Sequence, residues 1–168
     1  MSRDPARDAR DRDSSGRARN ARPRDGLGRP LPHDASGVER MPDDLVLPPA
    51  ESLVEAQRLL DAGRTFHAHE VLEGTWKAAP VGERDLWQGL AQLAVGLTHH
   101  GRGNRSGAVT LLRRGAARIT PYAGDPPHGI DVAGLTAFAE RLAGAIESGS
   151  DAAVDVPRLR SVPPASGG

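Results

Sequence analysis

Cysteine is missing from this 168-residue chain, lysine occurs once, at Lys77, and aromatics are limited to two Phe, two Trp and one Tyr. Without cysteine there is no disulfide, no thiolate metal site and no cysteine nucleophile. Net charge is absent too: Lys and Arg total 22, and so do Asp and Glu. That balance disfavours nucleic acid as a purely electrostatic partner. The preference for arginine over lysine reads as coding bias rather than physics. Long apolar runs are also lacking. The longest, residues 86–97, is interrupted by Gln88 and Gln92, whereas a membrane span needs about 20 apolar residues. No membrane partner is expected. The first fifteen residues, MSRDPARDARDRDSS, have no apolar centre and do not read as a secretory signal. A cytoplasmic setting is the expectation.

What is present falls into three stretches. Residues 1–43 mix Arg and Asp with Pro, Gly and Ser and hold almost no large apolar side chain. Such a segment buries too little surface to offset its ordering entropy and is expected to be a disordered tail. Its charges alternate in sign, which argues against a nucleic-acid arm. Residues 149–168, ending PRLRSVPPASGG, are expected to be a flexible C-terminal tail. Residues 44–148 carry helical periodicity and form the domain.

Five helices are predicted there. The first follows Pro48-Pro49, places Leu53, Ala56, Leu59 and Leu60 on one face, and stops at Gly63. The second covers 65–78 with Thr65 as N-cap. The third covers 83–100 and is apolar or small on nearly every side, the mark of a central helix. The fourth starts near Asn104 and ends at Thr120-Pro121. The fifth covers 131–147 behind an Asp131 cap, with Leu135, Phe138, Leu142 and Ile146 as its stripe. No segment alternates with period two. The predicted fold class is all-α, a compact bundle or array of about five helices with short connections and disordered N- and C-terminal tails.

Chemistry concentrates in FHAHEVLEGTWK, residues 66–77. His69, Leu72, Glu73 and Trp76 share one helical face, and Leu72 and Trp76 must look inward. His69 and Glu73 are therefore expected at the core or its margin, with Glu70 beside them. On the third helix Gln88, Gln92 and His99 form a polar stripe, while Gly89 and Gly96 allow another helix to come close. Two polar stripes suggest that these helices meet, since an unpaired buried polar group costs about 1–3 kcal/mol. The candidate polar pocket is His69, Glu70, Glu73, Gln88, Gln92, His99 and Asn104.

Three uses of that seam stand side by side. It is a hydrogen-bond network fixing helix register, or a divalent-metal site held by His69, Glu73 and His99, or a small-ligand pocket in which Glu73 polarises His69. The metal is the less favoured reading: HEVLE has Glu73 where the zincin motif needs a second histidine, and the Glu-x-x-His pairs of di-iron bundles are missing. A fourth candidate is the turn HHGRGNRSGA, residues 99–108. No acidic residue lies between Asp85 and Asp125, and Arg102, Arg105, Arg113, Arg114 and Arg118 fall in that interval. Arg102, Gly103 and Arg105 are the candidate anion site, weighed against a solvated arginine face.

Together, FHAHEVLEGTW, QGLAQLAVGLTHHGRGNRSGA and PPHGIDV resemble domain-of-unknown-function family 309, a small helical domain of bacteria and archaea. The family pattern, F-x-x-H-E-x-x-E-x-x-W, then Q-G-L-I-Q-x-A with a late histidine, then R-G-N-x-x-G-A, falls on Phe66, His69, Glu70, Glu73 and Trp76; on Gln88, Gly89, Leu90, Gln92, Ala94 and His99; and on Arg102, Gly103, Asn104, Gly107 and Ala108. Ala91 replaces the frequent isoleucine. The resemblance covers about residues 50–146. It implies a compact helical bundle and brings no established activity, cofactor or partner. The expected function is a small soluble helical domain with an inward His/Glu/Gln seam that is structural or forms a small-ligand pocket. The alternatives are a metal-dependent, hydrolase-like enzyme and an anion- or nucleic-acid-binding module. A homo-oligomer stays open.

Overall fold

The structure is a computed structural model that describes residues 46–150 and 155–161. The whole of the expected N-terminal tail, 1–43, thus lies outside the described residues. Within them stand five α-helices: α1 (Pro49–Asp61), α2 (Thr65–Ala78), α3 (Arg84–Gly101), α4 (Arg105–Ile119) and α5 (Val132–Glu147). Short 3-10 turns at Val81–Glu83, Thr120–Tyr122 and Pro127–Gly129 fill the connections.

Each helix begins and ends for local reasons. Proline at the first position of α1 presets the helical φ and gives up an N–H that had no partner there. Asn104 caps α4 by accepting from Gly107 N at 3.1 Å, and Asp131 caps α5 by accepting from Gly134 N at 3.1 Å. α3 terminates where Gly103 takes φ +78°, with Asn104 N returning to His99 O at 2.9 Å. Only glycine adopts that left-handed turn without strain. Thr65 does not cap α2. Arg64 holds that position without a side-chain bond, and the Thr65 hydroxyl meets that of Thr98 on α3 at 2.9 Å instead.

The helices pack in chain order, α1 on α2, α2 on α3, α3 on α4 and α4 on α5. They are antiparallel. Ser52 meets Thr75 at 2.6 Å, Thr65 meets Thr98, and Arg118 on α4 reaches Asp85 on α3. α3 is the central element, with Leu86, Trp87, Leu90, Ala91, Leu93, Ala94 and Leu97 all buried. Every fully buried leucine contributes about 1.5–3 kcal/mol, so α3 alone supplies a large part of the core. α1 adds Leu53, Leu59 and Leu60, and α5 adds Leu135, Leu142 and Ile146.

The glycines of α3 do what their spacing suggested. A Cβ at Gly89 would lie 2.5 Å from Ile119 Cγ2 and 3.1 Å from Gly115 O, and one at Gly96 would lie 2.9 Å from Leu112 Cγ. α4 therefore approaches α3 at backbone distance. Gly115 returns the contact, its own Cβ position being 2.8 Å from Gly89 O.

One part of the chain behaves differently from its composition. Of the segment expected to be loose from 149 on, residues 155–161 lie extended against the domain. Leu159 is 3% exposed. Gln57 of α1 donates to Pro157 O at 3.0 Å and accepts from Leu159 N at 2.9 Å. On the other side, Asp131 N donates to Leu159 O and Ser161 N to Gly129 O, framing an antiparallel bridge between Ile130 and Arg160. A buried leucine and main-chain bonds on both flanks outweigh the proline and serine content that reads as loose.

Candidate functional site

The two polar stripes do not face each other. Helical spacing puts Gly89, Gln92 and Gly96 on one face of α3, and that face looks at α4. Gln88 and Gln92 accordingly bond across to Arg118. Its Nη1 donates to Gln88 Oε1 at 2.9 Å and to Asp85 Oδ1 at 2.9 Å, and its Nε donates to Gln92 Oε1 at 3.3 Å. One guanidinium gathers three acceptors spaced three and four residues apart along α3. The side chain is about a third exposed, so its charge is partly solvated while its stem lies against the helix.

The α2 stripe pairs within α2. His69 Nε2 and Glu73 Oε2 lie 3.3 Å apart, and Glu73 Oε1 meets Lys77 Nζ at 3.2 Å. These are single-turn pairs of the kind a helix surface provides. His69 is mostly covered, its side chain 21% exposed. Burial pushes its pKa below the ordinary histidine range, against the opposing pull of the Glu73 carboxylate, while Lys77 lowers it further. A neutral ring donating from Nε2 to Glu73 leaves Nδ1 as a buried acceptor without a hydrogen-bond partner among the described residues. The Phe66 ring lies 5.6 Å from it, tilted by 50°. The expected pairing of His69 and Glu73 with Gln88, Gln92 or His99 is not found.

His99 points to the end of its own helix, its Nδ1 accepting from Asn104 Nδ2 at 3.1 Å. Both ends of the Asn104 amide are thereby used, one on His99 and one on the first turn of α4. The trio His69, Glu73 and His99 is not brought together. Among the described residues no group of three or more His, Asp or Glu side chains is placed to hold one metal ion. Glu70, the remaining member of the candidate pocket, is half-buried on α2.

The arginines near Gly103 are likewise engaged inside the fold. Arg105 donates through Nη2 to Ile146 O in the last turn of α5, where a cation also meets the negative end of the helix dipole. The Arg102 guanidinium lies 5.9 Å from the centre of the Phe66 ring. Arg113 pairs with Glu147 and Glu140, and Arg118 with Asp85. The acid-free interval in the sequence hid this, because the partners come from α5 and from the start of α3. Gly103 itself is explained by its role in ending α3.

A second polar cluster escaped the sequence reading. His128, at φ +58°, donates from Nε2 to Glu83 Oε1 at 2.6 Å. The same oxygen accepts from Trp87 Nε1 at 3.3 Å, and the His128 ring lies 5.8 Å from Trp87. Tyr122 OH donates to Gly82 O at 2.8 Å. This cluster ties the α4–α5 connection to the start of α3. Forty-five residues separate Glu83 from His128, too far apart for any local spacing to signal the pair.

The geometry defines a small all-α domain whose polar residues lie at helix contacts and helix ends. Residues 53–111, from α1 into the first half of α4, match the family model described as a domain of unknown function, DUF309. That span holds α2 and α3 but stops short of Arg118, α5 and the docked C-terminal segment, so it is shorter than the resemblance read from the motifs. Over 48 residues the chain is 48% identical to "Uncharacterized protein YpuF" of Bacillus subtilis (strain 168). The alignment covers 28% of this chain and 28% of that relative, so the chain spans little more than a quarter of that protein's length. No solved structure matches the chain.

Proposed function

We propose that this is a non-catalytic helical module, cytoplasmic in setting, whose polar seam is structural: it sets the register of α4 on α3. The observation that carries the reading is the convergence of Asp85, Gln88 and Gln92 on the single guanidinium of Arg118. Sliding α4 by one turn would move that group about 5.4 Å along the axis and break all three bonds. It would also drive Gly115 and Ile119 off the gap at Gly89. Further support comes from the seam's other members, since His99 bonds Asn104 and Glu73 bonds His69 and Lys77. No helix among the described residues is long and apolar enough to cross a membrane.

The test is a double-mutant cycle. Arg118→Met and Gln92→Met are each expected to lower unfolding free energy by about 1–2 kcal/mol, with a coupling of at least about 0.5 kcal/mol between them. Zinc, manganese and phosphate should leave the thermal midpoint of the wild type where it was. Strict additivity of the two changes, or a wild-type midpoint raised by one of those ions and not by the others, would overturn the structural reading.

A further inference from the structure

The docked segment 155–161 is held as a ligand is held. Its main chain is read from both sides, by the Gln57 side-chain amide on α1 and by the backbone of Gly129 and Asp131 ahead of α5. Its side chains alternate: Pro157 and Leu159 are buried, whereas Val156, Arg158 and Arg160 are exposed. Main-chain bonds for affinity and alternate side chains for selectivity are the physics by which grooves take up extended peptides. Arg158 also faces Asp61 at 3.5 Å. Among the described residues, the segment does not fill its groove. Beside it an open space of about 430 Å³ remains, walled by Leu53, Val54, Arg58 and Asp61 of α1. Val54 on that wall is 57% exposed.

We propose that the cleft between α1 and the entry to α5 is a binding site for extended peptides of the pattern Pro-basic-Leu, which this chain occupies with its own residues 155–161 as an exchangeable internal ligand. The partner it fits is an unstructured segment of another protein with proline and leucine two apart and a cation between them. Leucine enters the core between α1 and Ile130, the cation meets Asp61, and Gln57 reads the backbone. The unfilled space gives an incoming peptide contacts that the internal segment does not make. This inference is independent of the α3–α4 seam, because it involves neither Arg118 nor the glutamines.

The experiment uses the full chain and a labelled synthetic peptide with the sequence of residues 155–161. In Leu159→Asp the internal ligand is expelled, and the peptide is expected to bind saturably at one site. Wild type should bind it at least about tenfold more weakly, because the tethered copy competes at high effective concentration. Adding Gln57→Ala to Leu159→Asp should abolish binding. A Leu159→Asp chain with wild-type helical circular dichroism that binds no better than wild type would overturn the proposal. Should that variant fail to fold, hydrogen exchange in wild type decides. The amides of Leu159 and Ser161 are expected to exchange at least about tenfold faster than those of α3, through opening of the segment alone. Equal protection would make the segment an integral part of the core and end the proposal.

Discussion

At the residue scale, two glycines in helix interiors make opposite predictions. A methyl at Gly89 would meet Ile119 Cγ2 at 2.5 Å, Gly115 O at 3.1 Å and Arg118 Cβ at 3.2 Å. Overpacking of that kind costs about 1–3 kcal/mol, more than the roughly 1 kcal/mol of helix propensity that alanine returns. Gly89→Ala is thus expected to lower the urea midpoint. Gly144, in the exposed face of α5, has nothing within 4 Å of its Cβ position. Gly144→Ala should raise the midpoint, by about 0.5–1 kcal/mol in unfolding free energy. The same sign for both substitutions would refute the close-approach account.

His69 makes a pH prediction. Burial, its main perturbation, disfavours the charged ring in the folded state and lowers its pKa there. As pH falls below about 6.5, the unfolded chain therefore takes up the proton first. Stability contributed by the neutral ring is complete above that value and is lost as pH drops toward the lowered folded one. Replacing His69 with Gln should flatten the decline in urea midpoint between about pH 7 and pH 5. Parallel declines in wild type and variant would mean that the ring is as solvated folded as unfolded. The inward lean of His69 was legible from Leu72 and Trp76 on the same face. Its actual partner was legible as well, because Glu73 is one turn away on the same helix.

At the scale of the element, helix limits followed from punctuation that acts locally: Pro49, Gly63, Asn104, Pro121 and Asp131. Local chemistry of that kind is what a sequence displays openly. Asn104→Ala and Asp131→Ala are each expected to cost about 1 kcal/mol, measured by urea unfolding, with glycine at either site restoring most of it. An alanine that costs nothing at Asn104 would show that its bonds to Gly107 N and His99 are replaced by water. Helix pairing was less open to reading. A helical wheel tells which residues share a face but not which neighbour that face meets. For α3 the deciding clue was the common face of Gly89, Gln92 and Gly96. It assigns the glutamines to the closely approaching helix, and that helix is α4, not α2. Arg118, three residues beyond Gly115, then falls opposite them.

Across the whole molecule, the all-α class and the central place of α3 came from periodicity alone, since a helix apolar on all sides has nowhere to go but inside. The docking of 155–161 could not be read that way. Its alternation spans only Val156 to Arg160, and the groove that receives it is assembled from α1 and the residues before α5, about a hundred positions upstream and about thirty upstream respectively. A contact built from three distant pieces leaves no periodic trace in any one of them.

That separation has a consequence in time. Every helix pair here closes a short loop, and chains dominated by such neighbours assemble quickly. The bond between Gln57 and Leu159 instead spans 102 residues. During synthesis residues 155–161 emerge after all five helices, so the helices can coalesce first, and the cleft stands open until that segment reaches it.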